Sequence, residues 1–324
     1  MRLFTLEDIR DVYLKWVQRG GKFLFSKFTF SGTKRTKSSF NDATIQSANY
    51  WIIPAVRKRW NKLITGDENL GYEAYVSDKY LKNIDGKMLS IGSGSCTKEL
   101  AFARLNPHWE ITCIDFSDKL LQIGEKIAVA ENLTNIRFIA KDIHQYNLLS
   151  NFYNVVLFNS SLHHFYHIEK FIVKINNALL PNGKLIINEY VGANRLQYSH
   201  QQLNAINNCL QIIDKPYRKM FLSSIYKNKY YGSGLIRMII SDPSECVHSQ
   251  DIIPVIHQYF SVLEEKAVGG NLLMPVLKDI AHHFVELNEQ KERILTDVFK
   301  YEDQYLTQHK SDFVFGVYEK NKCY

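Results

Sequence analysis

A glycine-containing segment, Gly92-Ser93-Gly94, is the first part of the sequence that could hold a ligand. It follows a short apolar run and precedes an amphipathic stretch, a pattern typical of a strand, a tight turn and a helix. Glycine has no Cβ, so the backbone can lie close to a ligand. The free N–H groups at the start of the following helix can bind polar ligand atoms. The segment is therefore a candidate ligand cradle, and a purely structural turn is the alternative.

A carboxylate stands at the end of each of the next two predicted strands. Asp115 comes 23 positions after Gly92, near the spacing of about 20 at which an acid binds ribose hydroxyls in nucleoside-binding folds. Asp142 could accept a hydrogen bond from an adenine amino group, with Ile143 and Phe116 packing on the base. The alternatives are a helix cap at Asp115 and an ordinary loop acid at Asp142.

The same loop disfavours two other classes of nucleotide site. Thr97 stands where the dinucleotide fingerprint has its third glycine, and this counts against NAD. No Lys-Ser or Lys-Thr pair follows the glycines, so a P-loop is excluded.

Two adjacent histidines, His163 and His164, follow the fourth predicted strand. Ligands bind outside the carboxyl ends of strands in parallel sheets, so either histidine could face the crevice. Histidine titrates near neutral pH, and one of the two could take a proton from an acceptor. Packing or capping of the next helix is the alternative. The spacing up to His167 does not match HExxH, and we predict no metal site.

These candidate residues need a sheet to position them, and the hydrophobic pattern predicts one. Apolar runs alternate with amphipathic helices from residue 87 onwards, which predicts right-handed crossovers and a mostly parallel α/β sheet. The predicted strands are Lys87–Ile91, Glu110–Asp115, Ile136–Ile139, Tyr153–Phe158, Lys184–Tyr190, Tyr259–Ala267 and Asp312–Tyr318. The predicted helices among them cover residues 97–106, 118–131 and 167–180, and a turn is predicted at 181–183.

We divide the chain into four parts on this basis. Residues 1–85 form an N-terminal helical leader or lid, with helices at 5–19, about 44–63 and 72–84, and a basic loop at 31–42. Residues 86–190 form a Rossmann-like core, 191–258 a helical cap insertion, and 259–324 the end of the core. The prediction is a seven-stranded sheet with a leader and a cap.

Composition places the protein among ordinary globular chains. The net charge is +7, and its Lys/Arg groups favour either a solvated face or an acidic partner. The five cysteines show no CxxC pair, which favours a reducing, cytoplasmic setting. No apolar run approaches the roughly 20 residues of a membrane span. Glu7, Asp8 and Asp11 interrupt the N-terminal apolar residues, contrary to a signal peptide.

The glycine segment, Asp115, Asp142, the run Asn159–His164 and the run Leu179–Tyr190 together resemble the class I S-adenosylmethionine-dependent methyltransferases. More narrowly, the chain resembles a bacterial subgroup of types 11 and 12 that is linked to sugar or specialised-metabolite pathways. The segments that carry this narrower resemblance lie at residues 59–66, 188–197, 241–245 and 269–270.

The resemblance implies S-adenosylmethionine as cofactor and adds Asn159 to the cofactor-binding residues. It implies that the acceptor contacts Glu189, Tyr190, Arg195 and Gln197, although pairing of Glu189 with Arg195 or the cap is an alternative. The expected reaction is methyl transfer to a small molecule, most often a hydroxyl of a sugar or specialised metabolite, and the acceptor could be phosphorylated or carrier-bound. A protein or nucleic-acid methyltransferase and a non-catalytic scaffold are the rivals, and the absence of an Asn-Pro-Pro-Tyr-type motif disfavours nucleic acid.

The sequence departs from the family pattern at two positions. Ser90 stands in the first strand where the family usually has an acid, and Cys96 stands where a third loop glycine is common. Contacts to the methionine end of the cofactor are therefore expected to differ. We interpret Cys96 as a small buried residue and not as a nucleophile.

Overall fold

The computed structural model describes residues 1–19 and 48–321. The predicted helix end at Gly20-Gly21, the predicted basic loop at 31–42 and Cys323 lie outside these ranges. The helices are α1 Leu6–Arg19, α2 Pro54–Thr65, α3 Tyr72–Val76, α4 Thr97–Leu105, α5 Asp118–Ala130, α6 Ile168–Ala178, α7 His200–Ile212, α8 Leu235–Ser241, α9 Ile252–Tyr259, α10 Leu273–Leu277 and α11 Glu289–Leu306.

All seven predicted strands are present. They are β1 Gly86–Ile91, β2 Trp109–Asp115, β3 Ile136–Ala140, β4 Tyr153–Asn159, β5 Leu179–Tyr190, β6 Phe260–Gly269 and β7 Phe313–Lys320. They form one sheet in the order β3-β2-β1-β4-β5-β7-β6. The strand pairs β1–β2, β1–β4, β2–β3 and β4–β5 are parallel. The prediction of an α/β, Rossmann-like sheet is confirmed.

The order of the strands creates a crevice next to β1. The chain runs from β1 outwards to β2 and β3, and then returns to the other side of β1 as β4. Ligands of such sheets bind where the strand order reverses, outside the carboxyl ends of the strands. The loops after β1 and β4 therefore lie side by side, and they carry Gly92 and His163.

Apolar side chains of the strands and of two helices form the core around the sheet. Val156, Phe158, Leu185 and Ile187 from β4 and β5 are fully buried, and they cluster with residues of α6 and α9. Helix α9 lies within the segment that was predicted as a cap, yet Ile252 and Ile256 pack in this core. The predicted boundaries at 85, 190 and 258 stay predictions.

The predicted turn at 181–183 occurs inside β5 as a bulge. Tyr153 pairs with Leu179 and Val155 with Lys184, so β5 has extra residues between two successive contacts with β4. Asn182 adopts a left-handed conformation with φ of 62°, which Asn tolerates better than most residues. The turn signal thus marked an irregularity in the strand, and β5 begins five residues earlier than predicted.

The chain divides into two compact units. One contains Asn61–Val191, Val247–Lys266 and Val314–Tyr324, and therefore most of the sheet. The other contains Met1–Trp60, Gly192–Cys246 and Ala267–Phe313. In this second unit Tyr50 and Trp60 are buried, and Trp60 packs edge-on against Phe313. Pro54 is the first residue of α2, a position where its missing N–H costs no helical hydrogen bond.

One of the lysines that contribute to the net charge of +7 lies inside the protein. Lys227 is fully buried, and its Nζ donates to the carbonyls of Pro275 at 2.6 Å, Val276 at 3.1 Å and Lys278 at 2.6 Å. Burial lowers the pKa of Lys227 to about 8. Its ammonium group binds carbonyls at the carboxyl end of α10 and does not belong to a solvated face.

Four cysteines in the described part of the chain, Cys96, Cys113, Cys209 and Cys246, are free and buried. Among the described helices, none combines the length and the apolar composition that crossing a bilayer requires.

Candidate active site

The loop after β1 passes directly over the loop after β4. Gly92 has a φ of 69°, and a Cβ built there would lie 2.6 Å from the Cβ of Ser161. The Ser161 hydroxyl donates to the carbonyl of Ile91 at 2.7 Å. Because only glycine avoids both the backbone strain and this clash, Gly92 is needed for the two loops to meet.

Asp115 connects the glycine loop to the start of α5. Its Oδ2 accepts the N–H of Gly94 at 2.9 Å, and its Oδ1 accepts the N–H of Ser117 at 2.7 Å. The carboxylate is buried, with 5% of its surface exposed. A carboxylate oxygen accepts more than one hydrogen bond, so these two contacts are compatible with further bonds to a diol.

Space beside Gly94 fits the cofactor that the resemblance implies. A Cβ at Gly94 would meet no protein atom within 4 Å, although the N–H of the same residue is held by Asp115. The turn therefore places its backbone against open space next to a buried carboxylate. Such a cradle can accept a nucleoside, and Gly92, Ser93, Gly94 and Asp115 would line it.

We predict that Gly94→Ala lowers cofactor affinity without unfolding the protein. Gly94 has a φ of 54°, and alanine in this conformation costs about 1–2 kcal/mol. A methyl group in the cradle should also weaken S-adenosylhomocysteine binding about tenfold or more, because a close-packed ligand would have to move.

Gly66→Ala is the matched control for this variant. Gly66 also has a positive φ, 88°, and an equally empty neighbourhood, but it lies outside the cradle. Calorimetry should show weakened binding of S-adenosylhomocysteine for Gly94→Ala alone. The two variants should lose a similar amount of thermal stability. Equal affinities in the two variants would mean that the Gly92–Gly94 segment is only a structural turn.

Asp142 and Ile143 lie after β3, at the same edge of the sheet. The carboxylate of Asp142 accepts the N–H of His144 at 2.9 Å and caps a short 3-10 turn. Ile143 is 5% exposed and belongs to the core around the sheet. Phe116, after β2, is half-buried. Binding of adenine by these three residues stays a prediction.

Asn159 ends β4 and takes part in a polar network. Its Oδ1 accepts the hydroxyl of Tyr72 at 3.0 Å and the amide of Asn188 at 2.9 Å. Burial, with neighbouring carboxylates, raises the pKa of the Tyr72 phenol well above its usual value. Tyr72 therefore remains a donor and orients Asn159, whose contact with the cofactor stays a prediction.

Glu189 holds the loop that carries the histidines. It lies in β5 and is fully buried. Its Oε1 accepts the N–H groups of Ser161, in a short bond, and of Leu162 at 2.7 Å. Its Oε2 lies 2.8 Å from Nδ1 of His163. Because a carboxylate only accepts hydrogen bonds, this contact places the proton of a neutral His163 on Nδ1 and leaves Nε2 as the acceptor.

The partner of Glu189 is thus a histidine, and not one of the partners that the sequence analysis considered. The ring of His163 also lies 4.2 Å from that of His164 and 6.4 Å from that of Tyr190, measured between centroids. Tyr190 is 3% exposed and His163 8% exposed, whereas His164 is half-buried. The structure brings both histidines, Glu189 and Tyr190 together.

Arg195 and Gln197 belong to the other compact unit. Arg195 donates through its backbone N–H to Cys246 at 2.6 Å and through Nη1 to the Glu245 carbonyl at 3.1 Å. Gln197 donates to the Ser233 carbonyl at 2.8 Å and accepts the N–H of Arg2 at 2.8 Å. Both side chains organise local backbone, and their contact with an acceptor stays a prediction.

A buried acid that the sequence analysis missed lies beside the first strand. Glu99 of α4 is 2% exposed, and its Oε1 accepts the Ser90 hydroxyl at 2.5 Å. Ser90 is thus paired with a carboxylate of the following helix. Burial raises the pKa of Glu99 to about 7. The only sequence signal is a glutamate among the apolar residues of α4.

We predict that Glu99→Gln stabilises the protein at pH 8 and leaves its stability nearly unchanged at pH 5. The folded-state pKa, about 7, lies above the ordinary 4.5. Between these values the unfolded chain releases a proton that the folded protein keeps, so this group costs stability as pH rises through the window. The full shift corresponds to about 3 kcal/mol as an upper bound.

Urea unfolding of both proteins at the two pH values measures this effect. Glutamine keeps an oxygen for the Ser90 hydroxyl, so the hydrogen bond at that position is retained. Burial also raises the pKa of Asp312 to about 7. Its contribution to the pH dependence of stability has the same sign as that of Glu99. It is present in both proteins and therefore cancels in the difference between them. An equal effect of the substitution at pH 5 and pH 8 would contradict the raised pKa.

Comparison with known proteins places the chain in a family. The family described as "Methyltransferase domain" matches residues 82–258, more than half of the chain. No curated protein sequence matches.

Among solved structures, the chain is similar to the 4+2 cyclase SpnF, with 16% identity, a TM-score of 0.47, and coverage of 78% of this chain and 81% of that one. It is also similar to geranyl diphosphate C-methyltransferase from Streptomyces coelicolor A3(2), with 8% identity, a TM-score of 0.48, and coverage of 77% and 79%. Structural similarity at such low sequence identity does not identify the methyl acceptor. The family match, over a strand order and a glycine loop of the kind described above, shows that the chain belongs to the methyltransferase-domain family of S-adenosylmethionine-dependent enzymes.

Proposed function

We propose that the protein transfers a methyl group to a hydroxyl of a small molecule, a sugar or a specialised metabolite, and that His163 is the general base. The observation that carries the proposal is the contact between Glu189 Oε2 and His163 Nδ1, at 2.8 Å, in the loop beside the glycine cradle. A carboxylate behind a histidine orients the ring and raises its basicity, which is an arrangement suited to removing a proton.

S-adenosylmethionine, when bound, supplies an electrophilic methyl group on a sulfonium centre. The residues of the chain then have three tasks. Gly92, Gly94 and Asp115 would hold the nucleoside. Nε2 of His163 would take the proton of the acceptor hydroxyl while the new O–C bond forms and the S–CH₃ bond of the sulfonium breaks, which leaves S-adenosylhomocysteine. Glu189 would stabilise the imidazolium that results.

The assignment to His163 and not to His164 rests on orientation. Glu189 binds one nitrogen of His163 and, through Ser161 and Leu162, the backbone on which this residue stands. A base must be held within hydrogen-bonding distance of the acceptor, because a displacement of about 1 Å can cost about 10²-fold in rate. His164 touches the ring of His163 and is better suited to packing or to contact with the acceptor.

Tyr190 lies beside His163 and is our first candidate for acceptor contact, with Arg195 and Gln197 as further candidates from the family resemblance. A net charge of +7 favours an acceptor that carries phosphate or is attached to an acidic carrier.

Transfer of a labelled methyl group to a panel of acceptors tests this function. We expect turnover with hydroxylated small molecules, including nucleotide sugars, and none with peptides or RNA. His163→Ala should lower kcat by about 10²–10⁴-fold, and His164→Ala is the matched control with a much smaller effect. Full turnover in both variants would reject the histidine base, and transfer to RNA or peptide alone would reject the small-molecule acceptor.

A further inference from the structure

Helix α1 buries its acidic residues and exposes its apolar residues, which is the reverse of an ordinary surface helix. Its acids Glu7, Asp8 and Asp11 are 1%, 2% and 4% exposed. An apolar stripe runs along the other side at helical spacing and faces solvent: Leu6 58%, Ile9 55%, Val12 45%, Tyr13 37%, Trp16 54% and Val17 40% exposed. A helix on the surface of a globular protein normally buries such a stripe, whereas this one stays exposed in the part of the chain that the structure describes.

Buried ion pairs fix this orientation. Asp8 accepts the N–H of Gly234 and Nε of Arg237, both at 2.8 Å. Asp11 lies 3.1 Å from Nζ of Lys278 and 3.2 Å from Nη2 of Arg237. Burial alone would raise the pKa of Asp11, but Lys278 and Arg237 outweigh it and hold this pKa below its usual range. Rotating α1 to hide its stripe would expose these pairs, so the inverted orientation is built into the unit.

Apolar residues next to α1 enlarge the exposed surface. Met1, Leu3 and Phe4 precede the helix and are 92%, 60% and 63% exposed. The backbone carbonyls of Arg2 and Leu3 accept the first N–H groups of α8, a helix that exposes Ile236, Ile239 and Ile240. We call these residues, with the stripe of α1, the α1–α8 surface.

The charges around the α1–α8 surface are basic. Residues 1–19 contain four Lys and Arg, and their three acids are the buried ones of α1. Tyr13 and Val17 line a cavity of about 640 Å³ together with Phe221, Leu222 and the exposed Lys219. Exposed Lys229 lies close to Arg10 of the same helix, since its carbonyl accepts Nη1 of Arg10 at 2.8 Å.

We propose that the α1–α8 surface docks on an anionic membrane, with α1 lying in the plane of the interface. Apolar and aromatic side chains would enter the boundary between headgroups and acyl chains, and the lysines would meet the lipid phosphates. A second copy of the chain is the weaker occupant, because it would bring two molecules of charge +7 together through basic rims.

Cosedimentation of the full-length protein with lipid vesicles tests the proposal. We expect binding to vesicles of phosphatidylcholine with phosphatidylserine, weak binding to phosphatidylcholine alone, and loss of binding at high salt. The double variant Ile9→Gln/Trp16→Gln should lower the partition coefficient about tenfold or more. Lys219→Glu/Lys229→Glu should lower it for the anionic vesicles only.

Val129→Gln is the matched control, because Val129 in α5 is 73% exposed and lies far from α1 in the sequence and in the other unit. It should bind vesicles like the wild type, and the thermal unfolding of all variants should stay unchanged. Failure to bind anionic vesicles, or equal binding by the α1 double variant and Val129→Gln, would overturn the proposal. Sedimentation velocity that shows dimers abolished by Ile9→Gln/Trp16→Gln, or capture of an acidic peptide without vesicle binding, would also overturn it.

Discussion

Replacing Glu189 by glutamine is expected to lower kcat for methyl transfer by about 10²–10⁴-fold and to change cofactor affinity only a few-fold. The glutamine oxygen can still accept the N–H groups of Ser161 and Leu162, so the loop keeps its backbone contacts. The new NH₂ group, however, would donate to Nδ1 of His163. The imidazole proton then moves to Nε2, and the nitrogen that should take the acceptor's proton becomes a donor.

The kinetic pattern separates this tautomer effect from general damage. We expect kcat to fall while KM for the acceptor stays within a few-fold, and we expect Glu189→Gln/His163→Ala to be no slower than His163→Ala alone, because the two residues act as a unit. Glu264→Gln is the matched control. It removes a carboxylate that binds Tyr75 and Tyr80 elsewhere in the same unit. A Glu189→Gln enzyme with wild-type kcat would reject the role of the pair.

The second large effect is expected from Asp115→Ala, which should weaken S-adenosylhomocysteine binding about 100-fold or more. The substitution removes a carboxylate that holds the N–H groups of Gly94 and Ser117 and, in our proposal, the ribose diol. Hydrogen bonds to charged groups contribute about 1.5–3 kcal/mol each, so two of them account for this loss. Asp118→Asn, at an exposed acid at the start of α5, is the control and should bind normally.

A deoxy ligand distinguishes direct contact from loop damage. Wild-type protein should bind S-adenosylhomocysteine more tightly than its 2′-deoxy analogue, and calorimetry on Asp115→Ala should show little difference between the two ligands. If the variant still discriminates against the deoxy ligand, the ribose hydroxyl is bound elsewhere, and Asp115 only shapes the loop. Equal affinity of variant and wild type for S-adenosylhomocysteine would remove the assignment altogether.

Several elements of the site could be predicted because their causes are local. The alternation of short apolar runs with amphipathic helices located all seven strands, since the strands of a mostly parallel sheet are buried on both faces. Gly92 and Asp115 were proposed as neighbours from their spacing, because strand and helix lengths limit how far apart the ends of adjacent strands lie in the sequence. Asp115 does accept the N–H of Gly94 in the glycine loop, and its contact with the cofactor stays a prediction. The prediction of Cys96 as a small buried residue is confirmed as well, because it has no exposed surface.

Other features depended on partners that are distant in the sequence. Glu189 was expected at the acceptor, yet its partner His163 is 26 positions away, and no local pattern links the two. The pairing of Ser90 with Glu99 was missed for a similar reason, since a polar residue in a strand does not reveal which helix residue will cover it. Arg195 was paired with Glu189 in one alternative, but its guanidinium binds the carbonyl of Glu245.

The sequence by itself determined the succession of strands and helices along the chain, the position of the glycine turn, and the carboxylates that follow β2 and β3. These features depend on backbone hydrogen bonding and on the pattern of apolar residues within short stretches of the chain. Only the tertiary structure decided which polar groups meet. It joined Glu189 to His163, and it turned the acids of α1 inward against Arg237 and Lys278. The physical reason is that the free energy of a buried charge depends on partners that the fold, and not the neighbouring sequence, brings within hydrogen-bonding distance.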